Sequence, residues 1–203
     1  MSRPLRVIVG ISGASGAAIG FRVLERLAEA GTVETHLVIS PAAERTLATE
    51  VAPEAPVRAR ALASHCHDHR DIGASIASGS FRTAGMIVAP CSMRSLGAIA
   101  YGQLGDLLTR AADVQLKERR RLVLVARESP LHLGHLRAMA QVTEYGAIIA
   151  PPVPAFYLKP RDIAAIVDQI ALRAIGLLGL DLDGLAATEW VGGETAAGEN
   201  PDG

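Results

Sequence analysis

The sequence predicts an α/β fold, an open and mostly parallel sheet with helices on both faces, and three observations predict it. Short runs of valine, isoleucine and leucine alternate with longer segments of helical periodicity. Hydrophobic residues make up 49% of the 203 and aromatics only 3%, so the core must be built from small aliphatic chains, as in strands buried on both faces. A glycine-rich turn, Gly10 to Gly16, joins the first apolar run to the first helical segment. Alternating strands and helices need crossovers, and right-handed crossovers give a parallel sheet.

In chain order, Arg6 to Ile11 reads as a strand, and Ala14 to Ala30 as a helix with Leu24 and Leu27 inward. Glu34 to Ser40 (ETHLVIS) is a second strand; Ala42 to Glu50 is a helix stopped near Pro53 and Pro56. Ala84 to Pro90 is a buried strand that runs into a helix start at CSMRSLGAIA. Thr109 to Arg121 is a basic helix, and Arg121 to Arg127 and Gly146 to Pro152 are strands. His135 to Glu144 and Arg161 to Leu178 complete the helices. This pattern is Rossmann- or flavodoxin-like.

The length suits one domain, residues 1–190, with the small polar tail 191–203 expected to be disordered. A net charge of -1 argues against a nucleic-acid protein that relies on a broad basic field. No signal-peptide pattern and no apolar run of membrane-spanning length is found, and two cysteines are too few for a disulfide framework, so a cytoplasmic setting is expected.

The turn is spaced G-x-x-G-x-x-G at Gly10, Gly13 and Gly16, which is neither the dinucleotide fingerprint nor a P-loop. The second strand ends at Ser40, where NAD-binding folds carry an acid. Free amides at the helix start, with hydroxyls from Ser12 and Ser15, would cradle a phosphate other than that of NAD, and FMN fits. The alternative is that the glycines serve only tight strand–helix packing.

Ligands of open α/β sheets sit beyond the carboxyl ends of strands. That rule selects Gly10 to Gly16, Ser40, Cys91 to Ser95, and Arg127-Glu128. Ser92 and Ser95 are candidate ligand donors, whereas Cys91 reads as a buried thiol. Arg127-Glu128 is either a surface ion pair or an arginine for phosphate or flavin oxygen beside a carboxyl acid/base. Arg110 and Lys117, two helical turns apart, share a face, and Lys117 could reach a phosphate, while Arg119 to Arg121 would close their helix. Arg173, at the edge of the stripe Ile163, Ile166, Val167, Ile170, Ala174 and Leu177, is either a snorkelling surface arginine or, with Tyr157, a clamp for a phosphate. His65-Cys66-His67-Asp68-His69 reads as a solvated or interface loop, and no metal site is expected.

GISGASGA, ETHLVIS, SIASGSF, APCSMRSL, LLTRAADVQLKERR, LVLVARESPLHLGHL and PPVPAFY, spanning roughly residues 7–180, resemble the UbiX-type flavin prenyltransferases, relatives of the peptidyl-cysteine decarboxylases. The resemblance implies prenylation of reduced FMN by dimethylallyl phosphate at N5 and then C6, without a metal, giving prenylated FMN for a UbiD-type decarboxylase. FMN would be held by Gly13, Ala14, Ser15, Ser40, Ser92, Met93, Arg94, Ser95 and Arg127. The prenyl phosphate would meet Lys117, Tyr157 and Arg173, with Arg110 nearby. Glu128 would be the acid/base, assisted by Glu50, with Ser15 and Lys117 in the catalytic set. A homo-oligomer, in many members a dodecamer, with sites between subunits, is also implied. Arg121 stands where many relatives have proline, Ser95 replaces a frequent threonine, and Thr188-Glu189-Trp190 replaces an Arg-Trp ending. Two other readings are a peptidyl-cysteine-type decarboxylase, whose P-A-S-A-N-T-like segment is PCSMRS here, and a non-catalytic flavin-binding subunit of a phenolic-acid decarboxylase.

Overall fold

A computed structural model describes residues 5–182 and 185; Trp190 and the tail 191–203 lie outside the described residues. Six parallel strands form one sheet: β1 (Leu5–Ile11), β2 (Val33–Ile39), β3 (His65–His67), β4 (Gly85–Cys91), β5 (Arg121–Ala126) and β6 (Ile148–Ile149). Their order is β3-β2-β1-β4-β5-β6, so the winding reverses between β1 and β4. The helices are α1 (Ala17–Ala30), α2 (Pro41–Glu50), α3 (Ala55–Leu62), α4 (Met93–Ala100), α5 (Leu107–Lys117), α6 (Leu133–Glu144) and α7 (Ile163–Gly176).

Consecutive strand residues feed opposite cores, as the two-residue period requires. Val7, Val9, Ile11, Leu37 and Ile39 join α1, α2, α3 and α7. Ile8, Val38, Met86, Val88 and Leu124 join α4, α5 and α6. With both faces covered, aliphatic strands with few polar residues follow.

Several boundaries differ from the sequence expectations. α1 begins at Ala17, because Gly16 adopts φ 98 and caps the helix from the left-handed region. α3 is unexpected: Pro56 falls in its first turn, where a missing N–H costs nothing. The basic helix stops at Lys117, and Arg119 turns the chain at φ 58. Arg119 and Arg120 close the helix through their backbone, donating to the carbonyls of Leu116 (3.1 Å) and Gln115 (2.8 Å); the Arg120 side chain donates to the carbonyls of Gly79 (2.6 Å) and Phe81 (2.9 Å), and Arg121 opens β5 instead. The stretch from His65 is not a loop but an edge strand paired to β2. In α7 Ile163 is exposed, and the buried contact to α1 runs through Ala171, Ala174 and Ile175.

α1 and α7 are also joined by charge. Asp168 accepts from Arg26 Nη2 at 2.6 Å and Arg22 Nε at 2.7 Å, with all three side chains about three-quarters covered. The Arg26 hydrogen bond, aided by Arg22 and opposed by burial, holds the Asp168 carboxyl below its ordinary range. A depressed carboxyl contributes stability that is complete above the unfolded value, about 3.9, and is lost as pH falls through the folded value. Asp168→Asn should therefore cost about 2 kcal/mol at pH 7. In urea titrations the gap from the parent should close on acidification below about pH 4; a gap that is constant with pH would show that the charge is irrelevant.

Candidate functional site at the sheet rim

The reversal of winding opens a crevice at the carboxyl ends of β1 and β4, the usual ligand position in such sheets. One buried hydroxyl ties the two strand ends together. Ser12 Oγ donates to the Pro90 carbonyl (2.8 Å) and accepts from the Ser92 amide (2.7 Å). Ser12 is thus a staple across the crevice floor, not the ligand donor expected. Gly13 is a packing glycine, since a Cβ there would lie 2.3 Å from the Ala42 Cβ on α2. Ser15 stands exposed beside Ala14 at the tip of the turn.

The amides at the start of α1 are not free. Gly16 N and Ala17 N donate to Glu50 Oε2 at 2.8 and 2.9 Å, so a carboxylate from the end of α2 sits where the turn was expected to hold phosphate. The helix start does bind an anion, one supplied by the protein. Glu50 is thereby placed next to Ser15.

Two further helix starts face the same crevice. Ser40 caps α2 by accepting from Ala43 N (3.2 Å). Ser92 caps α4 by accepting from Ser95 N (3.2 Å) and donates to Ser95 Oγ (3.1 Å). Ser95 keeps a donor hydrogen, and Met93 and Arg94 follow on the first turn, Arg94 exposed. Cys91 is fully buried, and burial pushes its thiol up to about 12, which removes it as a nucleophile at neutral pH.

Beyond β5, Arg127 N donates to the Cys91 carbonyl (3.1 Å), which holds this strand end against that of β4. Arg127 and Glu128 are exposed and make no ion pair with each other among the described residues; Glu128 Oε1 accepts from the Ser129 amide (3.0 Å). Two residues back, Val125 begins the wall of a cleft of about 250 Å³ that continues through Ala150, Tyr157, Gln169, Ile170 and Arg173. Tyr157 and Arg173 thus share one largely apolar cleft. Gln169 Oε1 is buried with no hydrogen-bond partner among the described residues, and sequence reasoning missed it. The available signal was an amide in the apolar run IVDQIAL.

Lys117 is elsewhere. α5 returns the chain to the start of β5, and six strand residues at ~3.3 Å each put the rim about 20 Å away. Lys117 pairs with Glu118, while Arg110 donates to Asp113 Oδ2 (2.8 Å) and the Ala77 carbonyl (3.3 Å). A single protomer does not bring Lys117 to the crevice; Arg110, at the other end of α5, is held by those two contacts.

The flavoprotein family model matches residues 1–174. The flavin prenyltransferase UbiX of Thauera aromatica is 52% identical over 190 residues, covering 94% of this chain and 96% of its own. The chain belongs to the UbiX-type flavin prenyltransferases. The crystal structure of AnUbiX (PadA1) in complex with FMN and dimethylallyl pyrophosphate matches with a TM-score of 0.88 and 49% identity, covering 95% of this chain and 100% of that one. A dodecameric FMN-dependent UbiX-like decarboxylase from Escherichia coli O157:H7 matches with a TM-score of 0.86 and 44% identity, over 93% of this chain and 100% of that one. Among the described residues, no helix is long and apolar enough to cross a membrane.

Proposed function

We propose that the enzyme transfers a dimethylallyl group from its phosphate or diphosphate ester to N5 of reduced FMN, closes it onto C6, and releases prenylated FMN to a UbiD-type decarboxylase in the cytoplasm. The observation that carries this reading is the apolar cleft with Tyr157 and Arg173, which opens two residues from Arg127-Glu128 at the rim. An allylic C–O bond ionises when cations hold the departing phosphate and water is excluded. Arg173 is the cation within the protomer. Lys117 would come from another copy, and the exposed Leu131, Leu133, Leu136, Val153 and Phe156 support such association.

Flavin would lie in the crevice against Gly13 to Ser15, Ser40 and Ser92 to Ser95, with Arg127 near its polar edge. As the new bonds form, protons leave N5 and C6 and one reaches the prenyl double bond. Glu128, with the departing phosphate, is the group that would carry them, and Glu50 lies beside Ser15 to assist. Anaerobic incubation with reduced FMN and dimethylallyl phosphate should raise the flavin mass by one C5H8 unit. A flavin of unchanged mass, with either ester as donor, would sink the reading.

A further inference from the structure

Four polar side chains on the outer part of the sheet take no part in the flavin rim. β2 contributes Glu34 and His36; the edge strand β3 contributes His65 and His67. Alternate residues of a strand share a face, and the register sets His36 beside His65 and Val38 beside His67. All four therefore project to the same side. Cys66 points to the other, where its thiol donates to the Arg60 carbonyl (3.4 Å). In a loop, the spacing of these histidines means little. On neighbouring parallel strands, His-x-His beside Glu-x-His converges.

The geometry is that of a ligand set. His36 Nε2 and His65 Nε2 each lie 3.1 Å from Glu34 Oε1, and one ligand atom from each residue falls within 4.8 Å of the others. A tetrahedral ion with bonds of about 2.0–2.1 Å needs ligand atoms about 3.3 Å apart. His67 Nε2 is 3.0 Å from His36 Nδ1. With Nδ1–H donating there, His36 keeps its Nε2 lone pair for an ion, as an orienting partner commonly arranges. Phe81 meets the His36 ring edge-on at 5.1 Å, and the His65 ring stacks on it at 4.7 Å. His65 is half exposed, which leaves an entry path and room for a fourth ligand from water. Arg6 Nε also reaches Glu34 Oε1, at 3.2 Å, while its guanidinium lies over Phe81 at 4.5 Å. That ring contact gives Arg6 a seat independent of the carboxylate oxygen.

We propose that Glu34, His36 and His65 bind a divalent transition ion of the zinc class, with His67 orienting His36. Two imidazoles and one carboxylate suit Zn²⁺, Co²⁺ or Ni²⁺ and not Mg²⁺ or Ca²⁺. From His36 to Ser40 is about 13 Å of strand, so the ion lies away from the flavin rim. Its role is to clamp the three-residue β3 to β2.

Equilibrium dialysis of the purified full chain against Zn²⁺ should leave one ion per protomer, undisplaced by excess Mg²⁺. Co²⁺ should give the intense visible bands of a tetrahedral site, and Zn²⁺ should raise the melting temperature. His67→Ala should weaken binding by about 10–100-fold. His65→Ala, at a half-exposed position that should not disturb folding, should weaken it further and leave prenyl transfer unchanged. The proposal is overturned if no Zn²⁺ is retained, or if His65→Ala holds it as tightly as the parent.

Discussion

Glu128→Gln should slow prenyl transfer by about 10²–10⁴-fold, the usual worth of a positioned acid/base, and change FMN affinity only a few-fold. Glutamine keeps the shape and can still accept from the Ser129 amide, so the loop after β5 should hold its place. What it loses is the ability to take up and return a proton. Single-turnover reactions of the preformed complex with reduced FMN separate the two effects, and quenching of flavin fluorescence reports binding. Turnover at the parental rate would remove Glu128 from the mechanism. Because Lys117 stands at the far end of its own protomer's sheet, a shared site makes a further demand. Oligomers reassembled from Glu128→Gln and Lys117→Ala protomers should recover part of the activity that each lacks alone.

Gly20→Ala should destabilise the fold by about 2–3 kcal/mol or prevent its recovery in soluble form. A Cβ at Gly20 would sit 2.0 Å from the Ala89 carbonyl oxygen and 3.1 Å from its carbon. That carbonyl belongs to β4, held between β1 and β5, and cannot swing aside as a side-chain end could. The helix-propensity gain from glycine to alanine, at most about 1 kcal/mol, does not offset the clash. Gly97→Ala in α4 is the matched control, since a Cβ there meets nothing within 4 Å among the described residues; it should be neutral or slightly stabilising. Urea midpoints for both variants measure the difference. Equal stability would mean that α1 does not approach β4 as closely as described.

The contrast between what could and could not be read from sequence follows from locality. β1, β2, β4 and β5 announce themselves as aliphatic runs because both faces of each are covered. β3 does not, because its face is occupied by imidazoles and periodicity has no apolar signal to find. α3 was hidden because Pro53 and Pro56 read as stops, whereas Pro53 precedes the helix and Pro56 sits in its first turn, where proline is tolerated. The rim itself was legible, since polar residues directly after buried strands mark carboxyl ends. The use of each group there was not. Nothing local says that Ser12 spends its hydroxyl on Pro90, or that Glu50 reaches back 33 residues to the start of α1. Helical spacing relates Arg110 and Lys117 by two turns, but it does not say that α5 carries Lys117 to the end of the sheet away from the rim.

The carboxylate lodged on the first amides of α1 has a consequence for how the crevice fills. That berth holds one tenant. Any phosphate that lands on Gly16 N and Ala17 N must evict Glu50, so arrival of the guest and release of a side chain beside Ser15 become a single exchange.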